Sequence, residues 1–323
     1  MNSSLASMLS SLVVANLGAS VSFTYSPTPF GAVLSHCLHE VPSGAKVTAR
    51  SDGSTLVITP DGSKKIIAQC EANGGWPVWR ASSEMSRDAP YPLPADYDGW
   101  LEYTALNVSA LGLSGGFDAF TSVMSVPDVP KRKAQMLYFF PGLQNRDWIP
   151  KVDPFPTKDN PFDIIQPVLQ YPGVGLFSSN KWALKSWYVT VNAGALFSTA
   201  VKGIEPGDAI ICNMTRTGPQ SWSVSGALRS DPAKVTTQEA TAPRLQLQPW
   251  AYSAVAECYG CDGCDTYPTQ PIIFSKNKLS QAGREVNVPG SSWQLNPKPA
   301  LKRMCNETTT VDQITGDATI AFR

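Results

Sequence analysis

Residues 162–171 read Phe-Asp-Ile-Ile-Gln-Pro-Val-Leu-Gln-Tyr, and this stretch decides the fold because it places two glutamines in an apolar strand pattern. Alternate side chains of a strand share a face. Gln166 and Gln170 should therefore lie on one face together with Ile164 and Val168. A buried amide without a partner costs about 1–3 kcal/mol. The two glutamines therefore indicate either a structural hydrogen-bond network or a functional site.

The composition favours a turn-rich β protein. Charged residues make up only 16% of the 323 residues, and 27 prolines accompany 24 glycines. An apolar content of 42% is ordinary for a globular protein and allows a sizeable core. The net charge of zero gives no reason to expect a nucleic acid or an anionic membrane as a partner. No apolar run reaches about 18 residues, which argues against a transmembrane helix.

Strand patterns separated by turn residues recur from residue 100 onward, which predicts an all-β sandwich or jelly roll. Helix signals are weak, and only residues 240–248 could form a turn or two. The predicted strands are 101–106, 119–126, 135–140, 164–171, 182–191, 209–214, 222–228 and 251–257.

Changes in composition divide the chain into four parts. Residues 1–22 resemble a secretory signal peptide without its basic segment, although a frayed N-terminal arm is the alternative. Residues 23–80 predict a small β-hairpin unit that could be a propeptide. Residues 81–98, which are rich in Pro, Ser and Asp, predict a linker open to proteolysis. Residues 99–323 should form the β-sandwich with a Cys-rich C-terminal region.

Glycosylation sequons support a secreted, extracellular location. The tripeptide Asn-x-Ser/Thr begins at Asn107, Asn213 and Asn306. Each tripeptide occurs by chance, but three together are typical of a secreted glycoprotein.

Seven cysteines fit the same compartment. Cys212 lies in a strand pattern and should be a buried free thiol. The cluster at 258–264 could instead bind a metal, but the only histidines, His36 and His39, are far upstream and we expect no metal site. In a secreted protein, disulfides are the expected fate. The disulfide candidates are Cys37, Cys70, Cys258, Cys261, Cys264 and Cys305.

Common hydrolytic machineries do not fit the main domain. A Ser-His-Asp or Cys-His arrangement needs a histidine there, and both histidines lie in the N-terminal unit. Glu257 ends the apolar strand pattern 250–257, where partial desolvation would raise the pKa of its carboxyl group and suit it to acid–base chemistry. A solvated glutamate at a strand end is the alternative. Glu102 is a second candidate carboxylate.

Aromatic residues follow the opening stretch. Trp182, Trp187 and Tyr188, together with Trp222, could line a substrate cleft, although aromatics at strand spacing also serve as core residues. Gln170 would lie in the same cleft.

Four short motifs in this order resemble those of the secreted glutamic peptidases of fungi, the eqolisins. They are Ile165-Gln166, Trp187-Tyr188, the Gly-Asp-Ala-Ile of 207–210, and Ala256-Glu257. The resemblance implies a concanavalin-like jelly-roll β-sandwich and a catalytic pair made of Gln166 and Glu257. The chain departs from the family at Val189 and Cys258, which replace a glutamate and a tryptophan. It is also similar to uncharacterised secreted fungal proteins.

The resemblance predicts a secreted acid endopeptidase without a cofactor, acting on a polypeptide. In that reading Glu257 activates water and Gln166 stabilises the oxyanion. The alternative is a non-catalytic carbohydrate-binding or surface protein that holds an extracellular glycan against its aromatic groove. A glycan-cleaving enzyme would need a second carboxylate, and Glu102 is the candidate.

Overall fold

The computed structural model describes residues 25–70, 79–80, 99–113, 116–133, 135–149, 162–171, 180–246, 248–297 and 305–323. The predicted signal peptide at 1–22 and the linker at 81–98 lie outside these residues. The described chain is all β, and its helical segments are short 3-10 turns, so the predicted fold class is confirmed. None of the helical segments in these residues is long and apolar enough to cross a membrane.

The strands that carry Gln166 and Glu257 belong to a nine-stranded sheet, called the front sheet. Its order is β21-β8-β18-β10-β11-β12-β13-β3, and β14 pairs with β12. Its strands are β3 (Leu38–Val41), β8 (Gly99–Asn107), β10 (Met136–Gln144), β11 (Asp163–Tyr171), β12 (Trp182–Thr190), β13 (Gly194–Ser198), β14 (Val201–Ile204), β18 (Trp250–Tyr259) and β21 (Gln294–Leu295).

An eleven-stranded back sheet packs against it. Its order is β22-β23-β19-β9-β15-β16-β17-β4-β5-β6, and β20 pairs with β19. Its strands are β4 (Ala45–Ala49), β5 (Thr55–Ile58), β6 (Lys64–Ile67), β9 (Ala119–Ser125), β15 (Ala209–Gly218), β16 (Ser221–Leu228), β17 (Asp231–Thr241), β19 (Ile272–Gln281), β20 (Arg284–Val286), β22 (Thr308–Val311) and β23 (Ala318–Ala321).

Alternation along the strands builds the core between the two sheets. Ile165 and Tyr188 of the front sheet share a buried cluster with Met214 and Trp222 of the back sheet. Two facing sheets normally bury one side of each in this way, about 10 Å apart. The other side of the front sheet, called its outer face, carries a separate buried cluster to which the back-sheet strands contribute no residue.

The N-terminal segment contributes to all three sheets of the described chain. β1 (Tyr25–Thr28), β2 (Gly31–Leu34) and β7 (Trp79–Arg80) form a small sheet of their own. β3 then pairs in parallel with β13 at the edge of the front sheet. After a short crossover, β4 pairs in parallel with β17, and β5 and β6 extend the back sheet from there to its edge. Residues 38–67, which the sequence placed in a separate small unit, thus supply edge strands to both layers of the sandwich.

Disulfides fasten this arrangement as predicted. Cys37–Cys70 joins the N-terminal segment to itself across 33 positions, with a Cα–Cα distance of 5.6 Å. The C-terminal cluster forms Cys258–Cys261 and Cys264–Cys305. Cys212 is buried and free, and burial raises the pKa of its thiol. The expectation of disulfides and a buried thiol is confirmed.

A buried ion pair fixes the start of β11. Asp163 is fully buried and accepts hydrogen bonds from the Arg244 guanidinium and, at 2.6 Å, from the Tyr188 hydroxyl. Arg244 also donates to the Thr190 hydroxyl at 3.1 Å. Arg244 lies on the 3-10 turn Pro243–Gln246, within the segment where the sequence suggested a turn or two.

Candidate active site

The two residues of the predicted catalytic pair lie on the same face. In β11, Ile164 and Val168 belong to the outer-face cluster, so the side chains of Gln166 and Gln170 point to that face. In β18, Val255 and Tyr259 belong to the same cluster, which places Glu257 there too. Both members are completely buried.

Strand register shows which glutamine lies opposite Glu257. Tyr138 of β10 pairs with Glu257 on one side and with Gln170 on the other. These three residues form one row across the front sheet. Because paired Cα atoms lie about 5 Å apart, the Cα atoms of Glu257 and Gln170 are about 10 Å apart. The Tyr138 side chain lies between theirs on the outer face.

Gln166 lies further along the sheet. It is four positions from Gln170 on β11, and a strand rises about 3.4 Å per residue, so its Cα atom is about 16 Å from that of Glu257. Its partner on β12 is Trp187. The predicted assignment of Gln166 as the direct partner of Glu257 therefore does not fit the register, and Gln170 takes that position.

Some buried polar atoms on this face have no hydrogen-bond partner among the described residues. Neither the nitrogen nor the oxygen of the Gln170 amide has a hydrogen-bond partner among the described residues, although the side chain is fully buried. The same holds for Gln166 Oε1 and for Trp187 Nε1. Buried amides without partners are costly. These amide and indole atoms are available to form hydrogen bonds with another polar molecule on this face.

Glu257 lies between two tyrosines. Tyr259 donates its hydroxyl to Glu257 Oε1 at 2.5 Å. Burial, together with the neighbouring charge of Glu257, raises the pKa of Tyr138 well above its usual value. Tyr138 therefore keeps its proton at neutral and acidic pH and is a hydrogen-bond donor beside the carboxylate.

The chain's own N-terminal segment covers these residues. Tyr138 donates its hydroxyl to the backbone carbonyl of Pro27 at 3.0 Å. Gln166 donates its amide to the carbonyl of Pro29 at 3.1 Å. Phe30 follows and is completely buried. The β1–β2 hairpin, with Pro29 and Phe30 at its turn, thus lies on the outer face and presents two carbonyl groups to candidate site residues.

The predicted aromatic cleft divides between two faces. Trp187 lies on the outer face, where its ring is 6.1 Å from that of Tyr138. Trp182, Tyr188 and Trp222 lie in the clusters between the two sheets. These three are core residues and line no groove. The physical reason is alternation: Trp182 and Tyr188 are an even number of positions apart, whereas Trp187 is adjacent to Tyr188 and points the other way.

Glu102 is also separated from Glu257. It accepts hydrogen bonds from Asn296 Nδ2 at 2.7 Å and from the Thr309 hydroxyl on the back sheet. Its strand partner Ala256 belongs to the core between the sheets. The two carboxylates therefore point to opposite faces and cannot act on one glycosidic bond.

Two residues of the outer face were missed by the sequence reasoning. Tyr138 lies in a strand that reads as uniform core, and its role follows only from its neighbours on both adjacent strands. Lys185 pairs with Val168, is 1% exposed, and holds its amine 3.8 Å from the centre of the Phe197 ring. Burial lowers the pKa of Lys185 to about 7, against the opposing effect of Glu40.

A grouping of His36 with Cys37 and Cys70 has the spacing of metal ligands. Both sulfur atoms are joined in the disulfide, which leaves a single imidazole. This grouping is therefore a disulfide with a neighbouring histidine.

Three solved structures are similar to this chain, each over 72% of this chain and 100% of its own. Two are scytalido-glutamic peptidase, with a transition state analog inhibitor and with a peptide-based transition state analog, at TM-scores of 0.44 and 0.45. The third is SCP-B, a member of the eqolisin family of peptidases, in a complex with the tripeptide Ala-Ile-His, at 0.46. All three are 12% identical to this chain.

No family model matches the chain, and no curated protein matches it. The chain resembles the glutamic peptidases, as its motifs predicted. At this level of similarity, the roles of individual residues have to come from the geometry of this chain.

Proposed function

We propose that this protein is a secreted acid endopeptidase of the glutamic type that is held inactive by its own N-terminal segment. The observation that carries the proposal is the row Glu257–Tyr138–Gln170, with a peptide carbonyl, that of Pro27, bound to the Tyr138 hydroxyl. A carboxylate, two hydrogen-bond donors and a bound peptide carbonyl are the components needed for peptide hydrolysis.

In the proposed mechanism, Glu257 takes a proton from a water that attacks the scissile carbonyl. The Tyr138 hydroxyl and the Gln170 amide donate hydrogen bonds to the oxygen as it becomes negative, and each such donor is typically worth about 2.7–4 kcal/mol. Glu257 then returns the proton to the departing amine. Gln166 binds the substrate backbone two residues further along, where it now holds the Pro29 carbonyl.

Activation requires the segment before Ser35 to move. Three side chains of this segment, those of Phe30, Val33 and Leu34, are fully buried in the outer-face cluster. Water and substrate therefore reach Glu257 only after the segment leaves. The inhibitory role predicted for the unit 23–80 therefore falls to residues 25–34, and residues 38–67 stay with the sandwich, where β3 and β4 pair with its strands.

The alternative, a carbohydrate-binding protein, depended on an aromatic groove. Three of its four aromatic residues, Trp182, Tyr188 and Trp222, are buried between the sheets. The peptide already bound to the outer face favours a polypeptide partner over a glycan.

Secretion is supported by the three disulfides, which persist in oxidising compartments. Among the sequons, Asn306 is exposed. Asn213 is partly exposed on β15, and Asn107 caps a 3-10 turn by accepting a hydrogen bond from the Ser109 amide at 3.1 Å. We propose Asn306 as the first site to carry a glycan.

The test is cleavage of a denatured protein substrate by the full chain between about pH 3 and 5, where carboxylates titrate. N-terminal sequencing of the protein after incubation follows loss of the covering segment. Glu257→Gln should abolish both reactions, and Gln170→Leu should lower kcat by about 100- to 1,000-fold. Glu205→Gln, a change in an exposed ion pair with Lys181, is the matched control and should act like the wild type.

Substrate cleavage by Glu257→Gln at the wild-type rate would rule out the mechanism. A wild-type protein that cleaves nothing after its covering segment has been removed would rule out the function.

A further inference from the structure

The covering segment shows how a β-hairpin lies on the outer face, with Pro29 and Phe30 at the turn between β1 and β2. The carbonyl of Pro27 is bound at Tyr138, in the row that contains Glu257. The carbonyl of Pro29 is bound at Gln166. The hairpin therefore has two of its carbonyl groups held by side chains of the front sheet, one by Tyr138 and one by Gln166.

At the turn of this hairpin, the side chain of Phe30 fills an aromatic pocket. The ring of Phe30 stacks on that of Phe162 with centroids 3.8 Å apart and an interplanar angle of 17°. Trp148 lies on another side, with its ring centroid 4.1 Å from that of Phe30. Phe30 is 0% exposed. Trp148 and Phe162 are close to each other too, at 5.4 Å, so together they form a defined slot.

We infer that Trp148 and Phe162 form a specificity subsite for an aromatic side chain of the substrate. The side chain it takes lies three positions C-terminal to the residue whose carbonyl Tyr138 binds, as Phe30 lies relative to Pro27. The substrate class is therefore a polypeptide that carries Phe, Tyr or Trp at that position and turns there, as residues 28–31 do. The inference deepens the proposed function, on which it rests for the cleavage step, whereas the binding step stands by itself.

Aromatic rings favour this slot for a physical reason. Offset-stacked and tilted ring pairs with centroids within about 7 Å gain energy beyond the burial of area. A buried anchor in a pocket is also the kind of residue whose truncation weakens binding most. Loss of the ring should therefore weaken a bound peptide by about 100-fold, and its replacement by leucine by about 5-fold.

The binding experiment uses the full chain with Phe30→Ala, whose own segment no longer fills the slot. The probe is the peptide of residues 25–34, Tyr-Ser-Pro-Thr-Pro-Phe-Gly-Ala-Val-Leu, titrated at neutral pH by calorimetry. Two further peptides replace its Phe by Ala or by Leu. Full chain carrying Ile314→Ala, a change at a side chain that is 88% exposed, keeps the cover and serves as the control. If Phe30→Ala does not fold by circular dichroism, Phe30→Leu takes its place.

We expect the native peptide to bind the Phe30 variant about 100-fold more tightly than the peptide with Ala. The Ile314→Ala control should bind none of the three. Equal affinities for the native and Ala peptides, or no binding of the native peptide to a folded Phe30 variant, would overturn the subsite.

A cleavage assay separates this inference from the proposed function. Matched substrates with Phe or Ala at the third position after the scissile residue are incubated with the processed full chain at acidic pH. If the native peptide binds more tightly than the peptide with Ala but neither substrate is cleaved, the subsite is supported and the peptidase proposal is refuted. Cleavage of both substrates with equal kcat/KM removes the subsite and leaves the peptidase.

Discussion

Lys185 should make the stability of this protein rise with pH in a window where few other groups titrate. Its pKa is lowered from 10.5 to about 7 in the folded chain, chiefly by burial. Between these two values the unfolded chain binds a proton that the folded chain does not. The free energy of unfolding therefore increases with pH from about 7 to 10.5 and loses that increment as the pH falls back to 7.

The size of the effect follows from proton linkage. One proton of difference changes the free energy of unfolding by about 1.4 kcal/mol per pH unit. Between about pH 7.5 and 9.5, Lys185 alone should therefore contribute about 2–3 kcal/mol. The thiol of Cys212 is buried with a raised pKa, so it should stay protonated and leave the disulfides intact over this range.

Urea unfolding of the wild type and of Lys185→Met at several pH values measures this contribution. The variant should be more stable than the wild type near pH 7.5, and the difference should shrink by about 2–3 kcal/mol toward pH 9.5. Lys181→Met is the matched control, because the Lys181 side chain is 62% exposed and its ion pair with Glu205 lies at the surface. A pH dependence in Lys185→Met equal to that of the wild type would refute the reasoning.

Two further predictions concern packing. Gly194→Ala should destabilise the protein by several kcal/mol more than Gly62→Ala. Both glycines have a positive φ, but a Cβ atom at Gly194 would lie 2.2 Å from the carbonyl oxygen of Cys37, whereas nothing lies within 4 Å of one at Gly62. Equal shifts in melting temperature for the two variants would contradict this. Arg244→Met should lower the free energy of unfolding by about 3–5 kcal/mol, because it leaves the buried carboxylate of Asp163 without its ion-pair partner. Adding Asp163→Asn should restore most of this loss, as measured by urea unfolding. A double variant no more stable than Arg244→Met alone would argue against the ion pair.

The strands of the sandwich could be predicted from the sequence because each is a local pattern. Alternation along 164–171 placed Gln166 and Gln170 on one face, and the structure agrees. Alternation also contained the answer for the aromatic residues, since adjacent Trp187 and Tyr188 cannot both face one cleft.

The choice between the two glutamines could not be read from the sequence. It depends on the register of β10 between β11 and β18, which aligns Tyr138 with Gln170 and Glu257. Register is set by pairing between segments far apart in the chain and leaves no local signal. The cover at Phe30 escaped prediction for the same reason, because its contacts with Trp148 and Phe162 link residues more than a hundred positions apart.

The strands β3 and β4, which pair in parallel with the sandwich, determine what a proteolytic cut would do. A cut within 82–97 would sever the polypeptide, and the Cys37–Cys70 bridge could not rejoin the pieces because both its cysteines belong to the N-terminal fragment. That fragment would still be hydrogen-bonded to β13 in one layer and to β17 in the other. The nicked protein should therefore migrate as one species in solution and as two bands after denaturation, even without reductant.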